Sequence, residues 1–162
     1  LFTLLLMACG GKGEKKKEGF SVDRQKTEKT ESESNTSTTD QVPASERVDL
    51  TNKGIGPIES VTLDSEVDQV LAAKGKEVYD QLCLACHRPE KKFIGPAPKG
   101  ILERRTPEWV MNMITNVDMM LEKDPEAQKL LEQCLVRMPN QNVTKEEARS
   151  ILEFMRKNDG VN

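Results

Sequence analysis

LCLACHRPEKKFIGPAP, residues 82–98, holds the single histidine of a 162-residue chain and two of its four cysteines. Cys83 and Cys86 stand three apart and His87 follows at once, so at the end of a helix the three fall on one face. One imidazole in the whole chain excludes every mechanism that needs two. H-E-x-x-H zinc chemistry and bis-histidine iron ligation go together on that ground.

Two thiols and an imidazole at this spacing suit one planar ligand that offers two vinyl groups and a central iron. C-x-x-C-H is the c-type haem attachment signature: thioethers form at Cys83 and Cys86, and His87 ligates the metal. Two other chemistries compete for the same residues. A zinc site could recruit Cys83, Cys86, His87 and Cys134 as a Cys₃His set, although adjacent Cys86 and His87 rarely both turn to one tetrahedral centre. A redox C-x-x-C of thioredoxin type opens a helix after a strand, whereas here the motif closes a helical segment in a chain without a strand pattern.

Iron held by one histidine needs a sixth ligand or an open position. With no second histidine the soft donor is methionine, and Met/His ligation raises the potential and suits electron transfer. Met138 is best placed of the seven methionines, in the loop Met138-Pro139-Asn140 that leaves a helix. Met119 and Met120, in the segment NVDMMLEKD read as a loop, are substitutes, while Met113 and Met155 sit on buried helical faces as packing groups.

Around the motif the periodicity is helical. Ser65 and Asp68 start a segment in which Val67, Val70, Leu71, Val78, Tyr79 and Leu82 recur at spacings of three and four. Gly75 lies on the same stripe, where it costs about 1 kcal/mol against alanine and implies a close crossing by another element. Thr106-Pro107 and Asp124-Pro125 each place a capping side chain before a first-turn proline. Thr144 with Glu147 forms a capping box, and Asp159-Gly160 closes that last helix. The expectation is an all-α domain over 64–162, about four helices around one ligand, with residues 51–63 as an N-terminal extension.

The first part of the chain is of another kind. Residues 1–8 end a short apolar run and Leu6-Met7-Ala8-Cys9 resembles a lipobox, which implies the remnant of a lipoprotein signal peptide with Cys9 as the lipidated residue. Eight residues cannot span a bilayer, which takes about 20. Residues 9–50, rich in Lys, Glu, Ser and Thr, have no apolar period and read as a disordered, lipid-anchored linker. Such a tether implies an exported protein on the periplasmic side of a bacterial membrane.

Taken together, Gly75 with Tyr79, Cys83 to His87, Gly95-Pro96, Met138-Pro139 and Ile151 with Phe154 give the chain a resemblance to class I c-type cytochromes over residues 70–158. The resemblance implies one covalent haem c, a first helix crossing the last at Gly75, and a Pro96 carbonyl that accepts from the ligating histidine. It also implies that Arg104, Arg105 and Trp109 neighbour the haem propionates. It does not call for Cys134, which is left as a small buried hydrophobe, a disulfide partner or a thiolate near the iron. The stretches GKEVYDQLCLACH, RRTPEWVMNMI and RMPNQNVTKEEARSILEFMRK are further similar to haem domains associated with nitrous-oxide reductases.

The implied function is electron transfer rather than catalysis, to or from a respiratory reductase or a membrane quinol-oxidising complex. A five-coordinate haem sensor and a zinc-stabilised interaction module remain as alternatives. Aromatic residues make up only 4% of the chain, and a large apolar macrocycle would supply the core they cannot. A net charge of −3 speaks against nucleic acid. Residues 88–105 nevertheless carry six basic and two acidic side chains, against two basic and six acidic over 106–134, which favours a partner with an acidic docking face.

Overall fold

A computed structural model of the chain describes residues 42–161. Cys9, the lipobox and the linker as far as residue 41 lie outside the described residues. Those described form six helices: α1 (Gln69–Leu82), α2 (Ile101–Arg104), α3 (Pro107–Thr115), α4 (Val117–Lys123), α5 (Pro125–Cys134) and α6 (Lys145–Asn158). The fold is all-α; an isolated bridge between Asp49 and Arg105 is its one β-type pairing among the described residues.

The helix starts follow from their caps. Asp68 accepts from Val70 N and Leu71 N, Thr106 from Trp109 N and Asp124 from Ala127 N, each side chain satisfying a first-turn donor that has no helical partner. Thr144 and Glu147 bond reciprocally at the start of α6. Residues 117–123, a loop by sequence pattern, are helix α4. Asn116 ends α3 and opens α4 without any side-chain cap, so no sequence mark announces it; burial of Val117, Met120 and Leu121, one face of two turns, supplies the stabilisation instead.

The frame is the crossing of α1 and α6. A Cβ on Gly75 would lie 1.9 Å from the carbonyl oxygen of Ser150 and 2.2 Å from its carbon, which is why that helix position carries no side chain. Tyr79, one turn on, tilts against Phe154 at 5.1 Å between ring centroids. The buried face of α1 runs through Ala72, Gly75 and Tyr79. Val70, assigned by spacing to that stripe, is 79% exposed, because at about 100° per residue it lies on the side of α1 opposite Ala72, Gly75 and Tyr79.

Residues 42–64 form an irregular strap, and its first part, assigned to the linker by composition, is packed on the helices. Ala44 and Ile58 are buried. With no helix or sheet of its own, the strap finds its backbone partners among buried side chains. Arg105 donates to the carbonyls of Ala44 and Arg47. Asn112 donates to Lys53 O and Ile58 O and accepts from Ile58 N. Thr106 donates to Asn52 O, and Glu108 accepts from Val61 N.

Candidate haem site

The helix α1 stops at Leu82 and the chain tightens into a turn, with Cys86 N and His87 N both donating to Cys83 O at 3.0 and 2.8 Å. This turn delivers Cys83, Cys86 and His87 to one cavity, whose walls also include Pro96, Trp109 and Met138. The remaining walls are overwhelmingly apolar, among them Leu82, Val110, Met113, Leu121, Leu130, Ile151 and Met155.

His87 is fixed on three sides. Its Nδ1 lies 2.9 Å from Pro96 O, so the ring donates there and Nε2 is the nitrogen left to ligate. Tyr79 OH donates to the His87 carbonyl at 2.7 Å. Gly95 lies against the ring so closely that a Cβ would stand 2.3 Å from Cε1 and 2.7 Å from Nδ1. In the sequence Tyr79 and Gly95 are only landmarks; the backbone's approach to the imidazole and the hydroxyl's bond to the His87 carbonyl are contacts visible in three dimensions alone.

Among the candidate thioethers, Met138 lines the cavity from the loop after α5, whereas Met119 and Met120 do not. Met120 is fully buried on the far side, its Sδ accepting from Ile55 N at 3.0 Å. Cys134 also lines the cavity. Among the described residues no three His, Cys, Asp or Glu side chains gather to hold a metal ion, so Cys134 does not complete a Cys₃His zinc set.

The basic pair divides. Arg105 is 2% exposed, turned away from the cavity, and bound to Ala44 O, Arg47 O and Glu126 at 3.1 Å. Burial draws its pKa down, and the Glu126 carboxylate draws it back. Arg104 likewise is no part of the cavity wall. Trp109 is on the wall, but its Nε1 donates to Asp124 at 3.1 Å.

The two thiols are free. Burial, followed by the neighbouring Cys86, pushes the Cys83 thiol up to about 11. The donor set fits the cofactor: two thiols, an imidazole with one nitrogen engaged by Pro96 O and the other without a bonded partner among the described residues, and a predominantly apolar wall.

Residues 72–159 match the cytochrome c family. The chain belongs to that family. Its structure is similar to the cytochrome c of Rhodothermus marinus, with a TM-score of 0.63 at 32% identity, the alignment covering 72% of this chain and 94% of that one. An engineered cytochrome c from the same organism, Rma TDE, gives 0.63 and 32% over 72% and 95%. No curated protein matches the chain.

This cytochrome c thus carries one covalent haem c, bound through Cys83 and Cys86, and is an electron-transfer haem protein. Once bound, the haem supplies one-electron chemistry through its iron. The chain's own part is to hold His87 in place through Pro96, Tyr79 and Gly95 and to surround the cofactor with apolar walls.

Proposed function

We propose that this cytochrome c is a periplasmic electron carrier with His87 and Met138 as axial ligands, anchored by lipid at Cys9. The observation that carries the ligand assignment is the shared cavity: His87 and the loop residue Met138 line it, while Met119 and Met120 are elsewhere. Met113 and Met155 also line it, but from within the helices α3 and α6, whereas Met138 follows α5 on a loop. A loop backbone is not bound to helical geometry and can set the direction of its thioether.

The partner we propose is a respiratory reductase, of the nitrous-oxide reducing kind, or a quinol-oxidising membrane complex. Ile94 and Val136 line the cavity yet are 41% and 54% exposed, so they stand at its mouth. Arg88, Lys91 and Lys92 border this apolar opening in sequence, and a partner face with an apolar centre and a carboxylate rim complements it.

The test is a redox-titrated visible and near-infrared spectrum of protein matured in an export-competent host, on wild type and Met138→Ala. The wild type is expected to show the weak near-infrared band of ferric Met ligation and little carbon monoxide binding. Met138→Ala should lose the band and take up carbon monoxide. Retention of the band in the variant overturns the assignment. Labelling with a radioactive fatty acid, present in wild type and absent in Cys9→Ser, tests the anchor.

A further inference from the structure

Helix α5 ends at Cys134 and α6 starts at Lys145, and Met138 lies between them. Among the described residues, no backbone group from 136 to 143 hydrogen-bonds to another backbone group. Asn142, left-handed at φ of 54°, donates its N to Asn140 Oδ1, but that bond stays inside the segment. Apart from the packing of Val143 and Met138 against the core, the segment has no ladder of its own to fix its path.

The side-chain bonds that tie it to the rest of the fold, among the described residues, end on one carboxylate. Arg137 Nη2 donates to Asp118 Oδ1 at 2.8 Å and Asn140 Nδ2 to Asp118 Oδ2 at 3.3 Å. These donors stand on either side of Met138-Pro139, so the two bonds bracket the thioether. The acceptor is itself anchored. Asp118 lies in the first turn of α4 beside the buried Val117. The same corner holds both backbone groups of the strap residue Ile55, whose N donates to Met120 Sδ and whose O accepts from Asn116 Nδ2, each at 3.0 Å.

We propose that Asp118 is a positioning residue for the sixth ligand, clamping Arg137 and Asn140 so that the loop presents Met138 to the cavity. This deepens, and rests on, the reading of Met138 as axial ligand. An ion pair with side chains 54% and 59% exposed adds little to global stability. Its weight falls on local opening of the one segment it ties down. Each opening withdraws Met138 and frees a coordination position for an outside ligand, so the clamp decides how well the iron is reserved for electron transfer.

The experiment uses holoprotein with covalent haem and two readouts: binding of free imidazole to the ferric form, and the rate of tryptic cleavage after Arg137. Asp118→Ala is expected to bind imidazole about threefold to tenfold more tightly, the reach of two released surface bonds. Its cleavage after Arg137 should quicken by a similar factor, with the near-infrared band present before imidazole is added and the denaturation midpoint as in wild type. Lys76→Gln, which breaks an exposed pair with Asp80 on α1, should leave both readouts unmoved. In an Arg137→Ala/Asn140→Ala background, Asp118→Ala should have no further effect on imidazole binding; a full-size effect there overturns the clamp. Faster cleavage with unchanged imidazole binding reduces Asp118 to a structural tie and overturns its positioning role, as does an Asp118→Ala that matches wild type in both readouts. In either case a band lost in Met138→Ala still assigns the ligand. A band that survives Met138→Ala overturns the ligand reading, and the clamp with it.

Discussion

The indole Nε1 of Trp109 and the carboxylate of Asp124 meet at 3.1 Å beneath the cofactor cavity. Asp124 is 1% exposed and serves two more donors, the α5 backbone at Ala127 N and the strap at Asn52 Nδ2, each at 2.8 Å. One carboxylate therefore ties the cavity wall, a helix start and the strap together. Asp124→Ala leaves three donors unmet, and a loss of about 3 kcal/mol is expected. Chemical denaturation of the holoprotein measures it; a loss below about 1 kcal/mol would show that the three bonds are dispensable.

Gly95 lies where any side chain would strike the His87 imidazole. Gly95→Ala is expected to displace the His87 ring from its Pro96 bond and weaken its hold on iron. The expected result is protein that keeps its thioethers but shows an altered ferric spectrum and a lowered midpoint potential. An unchanged spectrum would mean that the loop of residues 93–96 yields at no cost.

Leu135 caps α5 with φ of 58° and is 86% exposed. A left-handed backbone disfavours any side chain with a Cβ, and this leucine recovers little by burial. Leu135→Gly is expected to raise stability by about 1 kcal/mol, seen as a higher Tm, with the visible spectrum unchanged. A lower Tm would place Leu135 in a contact that the exposed surface does not reveal.

Asp49 binds the strap's own turn, accepting from Thr51 N at 3.0 Å, Thr51 Oγ1 at 2.8 Å and Asn52 N at 3.0 Å. The Thr51 backbone donor, then its hydroxyl and Asn52 N, hold the carboxyl below the ordinary carboxylate value. A pKa lowered on folding gives stability that is complete above the unfolded value of about 3.9 and is lost as pH falls through the folded one. The stability gap between wild type and Asp49→Asn should therefore be level from about pH 5 to 7 and narrow below about pH 4. A gap that widens on acidification contradicts this sign.

Much of the site was readable because haem attachment compresses its chemistry into five consecutive residues, and because the caps at Thr106, Asp124 and Thr144 are local. Gly75 was readable for a similar reason, as a costly residue in a helix needs a cause. The strap was not. Arg105, Asn112 and Glu108 are polar letters on helical segments, indistinguishable in sequence from solvated ones. Their burial depends on a segment 47 to 61 positions away that has no period of its own. Helix α4 escaped for the opposite reason, since its stabilisation is tertiary and its first residue lacks a capping bond.

The strap also sets the smallest piece of this chain that can stand alone. The family match begins at residue 72, yet a polypeptide trimmed to that point would keep Arg105 and Asn112 while discarding the carbonyls they bind. Homology marks where the haem domain is shared by descent. The packed strap reaches upstream of that point at least as far as Ala44, so truncation at the family border would yield an incomplete protein rather than a minimal one.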